Sequence, residues 1–171
     1  GVSPSRTGVL SSLDRMGAGI TVTPGAGEGE PTGRITVRSA DLKGTRVGGA
    51  EIPLAIDELP LVALAACFAE GTTVIADAEE LKRKESDRIA VVVDSLRSLG
   101  AEIEATDDGM VVEGTGGLRG GTIASHGDHR IAMLGAVAGI ASREGVSVFD
   151  MDAASVSYPN FKPDLNGLLR P

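Results

Sequence analysis

The chain has 171 residues, 42% of them hydrophobic, which allows one domain or two small ones around a packed core. With three Phe, one Tyr, no Trp and a formal charge of −8, it lacks the basic face and the stacking aromatics of a nucleic-acid binder. No apolar run is long enough to cross a membrane, and a single cysteine, Cys67, excludes an internal disulfide and a cysteine-based zinc site, in keeping with a cytoplasmic location.

An anionic small substrate stays open, provided that the few cations are gathered in one place. The chain opens Gly1-Val2-Ser3-Pro4, without Met and without a cleavable leader, as a segment of something longer would.

Ser3 to Thr7 reads as a turn and helix cap, with Arg6 on the first turn, Val9, Leu10, Leu13 and Met16 on one helical face, and Gly17 as the stop. Gly19–Thr23 is predicted as a strand, Pro24 to Gly33 as a mobile Gly/Glu/Pro loop, and Arg34–Arg38 as a half-buried alternating strand. Thr45–Ile52 is a weaker, Gly-interrupted strand. Pro53 to Pro60 then brings Asp57 and Glu58 to the mouth of a helix, Leu61–Phe68, that is apolar nearly all round and therefore buried. A carboxylate there also suits plain N-terminal capping.

Thr72–Ala76 is a strand. Lys82-Arg83-Lys84-Glu85-Ser86-Asp87-Arg88, the densest run of charge, leads into the helical stripe of Ile89, Val92, Val93, Leu96 and Leu99. Basic residues on a first helical turn oppose the macrodipole, so the pattern points to a bound anion closed in by Lys84 and Arg88 from one helix face. A solvated charged cap is the alternative. Asp107-Asp108-Gly109 marks a hairpin between Glu102–Ala105 and Met110–Glu113. Gly114 to Gly121 lacks the Gly-Lys-Ser/Thr ending of a phosphate loop. After a strand at Gly121–Ser125, His126 to Arg130 cap a second wholly apolar helix, Ile131–Ala141. A strand at Val146–Phe149, then a turn and terminal helix within Ser155–Leu169, complete the chain.

Leu13, Met16-Gly17-Ala18 and Ile20 recur as Leu96, Leu99-Gly100-Ala101 and Ile103, an offset of 83, and Asp57 recurs as Asp128 before the second apolar helix. The pattern suggests an α/β (α+β) arrangement of repeated units whose buried helices are enclosed by mixed sheets. Related by approximate symmetry, the helix entrances carrying Arg6, Asp57, Lys84 to Arg88 and Asp128 to Arg130 converge on one cleft. There the guanidinium groups suit a ligand bearing phosphate and carboxylate, and Asp57 and Glu85 suit proton transfer. His126 and His129 have no third ligand of metal-site spacing, so neither a metal nor a cofactor is expected.

Leu81 to Ile89 together with Asp128-His129-Arg130-Ile131-Ala132-Met133 resembles the paired signatures of the 5-enolpyruvylshikimate-3-phosphate synthase family. Ser3 to Gly8, Ile56 to Pro60 and Ser157-Tyr158-Pro159 match further segments in the same order, so the resemblance runs over essentially the whole chain.

It implies the C-terminal lobe of a two-lobed enzyme, residues 1–171, built from βαβαββ units and missing its N-terminal lobe. The implied reaction passes the enolpyruvyl group of phosphoenolpyruvate to the 5-hydroxyl of shikimate 3-phosphate, releasing phosphate on the way to chorismate and the aromatic amino acids. By motif position, Asp57 binds that hydroxyl and acts as its base, Lys84 lies between the substrates, and Glu85 protonates the methylene carbon. Arg88 and Arg130 clamp phosphoenolpyruvate, and His129 assists. Val156 stands where many members carry a lysine, with Lys162 only a weak substitute. Two other readings are weighed beside this one: enolpyruvyl transfer to UDP-N-acetylglucosamine, and a non-catalytic anion-binding module.

Overall fold

The structure, a computed structural model, describes residues 1–26 and 28–169. A 3₁₀ turn at Pro4–Arg6 precedes α1 (Gly8–Arg15), and β1 (Gly19–Pro24) pairs antiparallel with β2 (Gly33–Arg38). Of the predicted loop between them, Gly27 lies outside the described residues. β3 (Arg46–Val47) leads through a 3₁₀ turn at Gly49–Glu51 and the short α2 (Ile52–Ala55) to α3 (Leu59–Ala66) and β4 (Glu70–Ile75). A 3₁₀ turn at Glu79–Arg83 precedes α4 (Arg88–Ser98), the hairpin of β5 (Glu102–Ala105) and β6 (Met110–Thr115), and β7 (Gly121–Ala124). α5 (His129–Ala141) and β8 (Val146–Phe149) follow, then a 3₁₀ segment at Met151–Val156 and α6 (Phe161–Leu168).

The 83-residue offset has a physical cause. Gly17 and Gly100 stand at φ +91° and +99°, the left-handed region that a residue without Cβ enters freely. In both places the chain closes the same Schellman motif: Ala18 N–H donates to the Leu13 carbonyl at 3.0 Å, and Ala101 N–H to the Leu96 carbonyl at 3.0 Å. Each closure turns an amphipathic helix into a hairpin. β3 and β4 then run parallel across α3, and β7 and β8 run parallel across α5, as parallel pairs joined by a helical crossover do. From β3 to β6 the order is one complete βαβαββ unit, with an αββ stretch before it and a βαβ stretch after it. The central sheet, β3-β4-β6-β5, is mixed as predicted, since β4 pairs antiparallel with β6.

α3 is enclosed: Leu59, Pro60, Val62, Ala63, Leu64 and Ala66 are buried, and it touches α1, α4, α5, β4 and β6. A helix apolar on every side is stable in water only with such neighbours. It starts at Leu59 rather than Leu61 because a proline is tolerated in a first turn, where Pro60 sits. Cys67, just past its end, is fully buried, its Sγ donates to the Ala63 carbonyl at 3.3 Å, and burial pushes the thiol up to about 12. Only thiolate reacts readily with alkylating agents. Iodoacetamide at pH 8 is therefore expected to leave Cys67 unmodified in the native protein and to label it fully after denaturation, as peptide mass spectrometry would show.

Three expectations are corrected. The strand expected over 45–52 is only Arg46–Val47, because Gly49 turns the chain at φ +61° and Pro53 opens α2. β2 alternates as expected but is exposed at all six positions, Val37 at 64%. On its apolar face Ile35 stands opposite Val22 and Val37 opposite Ile20 across the hairpin. α5 is less enclosed than α3: its far end rests on the two-stranded β7-β8 sheet, and Ile140 remains 48% exposed.

Candidate active site

The charges gather where four segments meet. Asp57 lies in the turn between α2 and α3, and Glu58 is the residue before α3. Lys84, Glu85, Ser86 and Asp87 form an irregular stretch between the Glu79–Arg83 turn and α4, and Asp128 to Arg130 open α5. The predicted first helical turn over 82–88 is therefore corrected. Lys84 is extended, at φ −83° and ψ −160°, and the helix starts only at Arg88, because the Asp87 carboxylate accepts the Ala90 N–H at 3.1 Å and caps it. Lys84 and Arg88 do not share a helix face; the loop brings both to Asp57 instead.

Asp57 is the hub. Its Oδ1 lies 3.2 Å from Arg88 Nη1 and 3.7 Å from Lys84 Nζ, and its Oδ2 lies 3.3 Å from Arg130 Nη2. Arg88 and Arg130 thus share one carboxylate, although they are far apart in sequence. Arg130 Nη1 also donates to the Asp57 carbonyl at 3.1 Å and to Glu58 Oε1 at 3.3 Å. Lys84 Nζ donates to Glu80 Oε1 at 2.6 Å, and that bond, helped by the Asp57 charge, holds its ammonium above the usual lysine range.

Arg88 is almost fully buried, at 1% exposure, and each of its three guanidinium nitrogens meets a carboxylate. Nε donates to Asp128 Oδ2 at 2.8 Å and Nη2 to Asp128 Oδ1 at 3.3 Å, while Nη2 also bonds the Glu85 carboxylate. Asp128 is fully buried, and burial by itself raises its carboxyl. The bonds from Arg88, the Arg130 N–H and Ser86 outweigh that and hold it below the usual carboxylate range. The cationic first turn expected to need a bound anion is thus compensated from within. Lys84, Arg88 and Arg130 face Asp57, Glu58, Glu80, Glu85 and Asp128, more carboxylates than cations.

His129 Nδ1 stands 3.9 Å from Glu85 Oε1, beyond hydrogen-bond reach. Arg6 belongs to the 3₁₀ turn before α1, not to the helix, and lines an open cleft of about 270 Å³ with Asp57 and Glu58. On the other side of Asp57 a smaller hollow of about 150 Å³, walled by Pro60, Leu61, Met133 and Phe161, reaches Arg130. Larger grooves of about 380 and 420 Å³ lie on the β5 and β1 sides, away from this cluster. Lys162 is taken up by Asp152 at 2.7 Å, and Val156 is 79% exposed. Among the described residues no three or more His, Cys, Asp or Glu are grouped to hold a metal ion.

Every residue singled out from the sequence as catalytic or substrate-binding, namely Asp57, Lys84, Glu85, Arg88, His129 and Arg130, falls in this cluster. Asp128, Ser86, Glu58 and Glu80 complete it, although the sequence reading gave none of them a catalytic or substrate-binding role. For Asp128 a signal existed: the capping reading weighed for Asp57 belongs to its repeat partner, since Asp128 Oδ1 accepts the Arg130 N–H at 2.9 Å whereas Asp57 caps nothing.

The family profile described as EPSP synthase (3-phosphoshikimate 1-carboxyvinyltransferase) matches residues 1–165. A curated relative from Bacillus cereus, named 3-phosphoshikimate 1-carboxyvinyltransferase, is 49% identical over 99% of this chain and 40% of its own length. One of the same name from Herpetosiphon aurantiacus is 52% identical over 94% of this chain and 38% of its own. The solved EPSP synthase of Acinetobacter baumannii superposes with a TM-score of 0.92 at 39% identity, covering 98% of this chain and 40% of that one. The enolpyruvyl transferase NikO of Streptomyces tendae, 22% identical over 95% of this chain and 35% of its own, shares the fold with a TM-score of 0.71. The chain spans about 40% of the length of the curated relatives it matches. A profile match over nearly the whole chain, curated relatives about half identical to it and a shared fold show that the chain belongs to the EPSP synthase (3-phosphoshikimate 1-carboxyvinyltransferase) family.

Proposed function

We propose that residues 1–171 are the C-terminal lobe of a two-lobed cytoplasmic enzyme of the shikimate pathway. It transfers the enolpyruvyl group of phosphoenolpyruvate to the 5-hydroxyl of shikimate 3-phosphate and releases inorganic phosphate, with no cofactor. The observation that carries this reading is the meeting of Lys84, Arg88 and Arg130 on the single carboxylate of Asp57.

Asp57 accepts the proton of the 5-hydroxyl, and the oxygen adds to the central carbon of phosphoenolpyruvate. Glu85 delivers a proton to the methylene carbon at the other end of the double bond, so charge does not accumulate on either side. The methyl group so formed gives a proton back as the C–O bond to phosphate breaks, which restores the double bond in the product. Arg88 and Arg130 hold the donor's carboxylate and phosphate through planar forks, Lys84 lies between the two substrates, and His129 stands beside Glu85. These groups are fixed before the reaction and need little reorganisation as charge moves onto the leaving phosphate.

The excess of carboxylates supports a split site. Two anionic substrates entering a cluster already matched by its own carboxylates need further cations, which the missing lobe supplies. The names of the relatives favour 3-phosphoshikimate over a UDP-sugar as acceptor.

The full-length protein, given phosphoenolpyruvate and shikimate 3-phosphate, is expected to release phosphate and form the enol ether, seen by phosphorus NMR. The 171-residue segment alone, checked for folding by circular dichroism, is expected to form none. Product formed only with UDP-N-acetylglucosamine would remove the shikimate reading. Turnover by the folded segment at the full-length rate would remove the split site.

A further inference from the structure

Arg88 and Asp128 are the only two charged side chains buried among the described residues, and they are bonded to each other. The geometry of that bond divides the guanidinium in two. Nε and Nη2, its side edge, are taken by the two oxygens of Asp128 at 2.8 and 3.3 Å. Nη1 and the second hydrogen of Nη2, its end fork, point to Asp57 and Glu85, which are 28% and 48% exposed. The end fork therefore meets partly exposed carboxylates, whereas the side edge faces a carboxylate that has no exposure at all.

The same Asp128 acts on the second guanidinium through the backbone. Its Oδ1 accepts the Arg130 N–H at 2.9 Å, fixing the first turn of α5 from which the Arg130 side chain departs. Ser86 Oγ donates to Asp128 Oδ2 at 2.9 Å, tying the irregular 84–87 stretch to the same carboxylate. One buried side chain thus connects the three segments that carry Arg88, Arg130 and the Lys84–Glu85 pair.

Resting on the proposed reaction, we propose that Asp128 is a positioning residue. It holds the side edge of Arg88 so that the end fork faces the donor, and it sets the spacing between the Arg88 and Arg130 guanidinium groups. It touches no substrate. An arginine is required in this arrangement, because a lysine ammonium cannot present one edge to Asp128 and another to a ligand.

The test is Asp128→Asn in the full-length protein. Asn keeps the size and the capping oxygen but turns an NH₂ toward Arg88 Nε, where two donors oppose each other. A shift of the fork by about 1 Å costs on the order of 100-fold. The expected result is a KM for phosphoenolpyruvate raised about 100-fold with the KM for shikimate 3-phosphate changed less than about 3-fold. In an Arg88→Lys background, where the fork is already lost, Asp128→Asn is expected to add less than about 3-fold, since coupled residues are not additive. Ser86→Ala, which loosens Asp128 without removing its charge, should shift the same KM in the same direction by a smaller factor. Equal rises in both KM values, an unchanged KM for phosphoenolpyruvate, or a full multiplicative loss in the Arg88→Lys background would each overturn the proposal. If Asp128→Asn fails to fold, the Ser86→Ala split decides alone. Absence of turnover in the unaltered protein would instead count against the proposed reaction.

Discussion

Replacing Asp57 with Asn in the full-length protein is expected to lower kcat about 1,000-fold, the middle to upper part of what a positioned general base contributes. The affinity for phosphoenolpyruvate should not fall. Asp57 lies within 3.2 to 3.7 Å of Arg88, Lys84 and Arg130, so in the ligand-free site it competes with an incoming anion for all three. Removing its charge frees those cations. A residue that only binds substrate would give the reverse pattern, weaker binding with kcat maintained. Single-turnover measurement of the chemical step, with calorimetric titration of phosphoenolpyruvate, separates the two. A non-catalytic anion-binding module would show tighter binding and no rate to lose. Loss of affinity in proportion to rate would place Asp57 among the binding groups and leave the base unassigned.

What could be read from the sequence and what could not divide along the range of the forces involved. The Leu13–Ala18 and Leu96–Ala101 closures depend on a glycine and neighbours within five residues, so the repeat and both helix ends were visible. The hairpin at Asp107 to Gly109 is equally local. Burial of α3 followed from its lack of a polar face. The exposure of β2 and of the far end of α5 depends on how many strands stand beside them, which alternation in one segment cannot report. In the site, the cations were found by their unusual density at helix starts. Their compensation was not, because Asp128 is 40 residues from Arg88 and by itself reads as an ordinary capping aspartate. The helix start at Arg88 was open to the same reasoning: Asp87, directly before an apolar stripe, is a standard cap, and the charge on both sides of it obscured that signal.

The largest effect on stability is expected from Arg88→Met, which removes the charge while keeping much of the volume. Breaking a buried pair leaves an uncompensated ion, here Asp128 with no exposure, and costs about 3–5 kcal/mol. Converting the abandoned partner as well, in Arg88→Met/Asp128→Asn, should return most of that loss, because the penalty belongs to the stranded charge rather than to a missing attraction. The pH dependence gives an independent check. In the unaltered protein the bonds from Arg88, the Arg130 N–H and Ser86 hold the Asp128 carboxyl below its unfolded value. Its contribution is therefore complete above the ordinary carboxylate range near 3.9 and is lost as pH falls through the lower folded value. Without Arg88 burial is opposed only by the Arg130 N–H and Ser86, so the folded value is expected to rise and the carboxyl to destabilise the variant increasingly, relative to the unaltered protein, as pH rises. The difference between Arg88→Met and the unaltered protein should accordingly be widest near neutrality and narrow as pH approaches 4. Urea unfolding at pH 7.5 and 4.5, read by hydrogen exchange at the amides of α4 and α5, measures that difference where the pair sits. A difference that stayed constant between the two pH values would mean that packing of the Arg88 stem, and not its charge on Asp128, carries the stability.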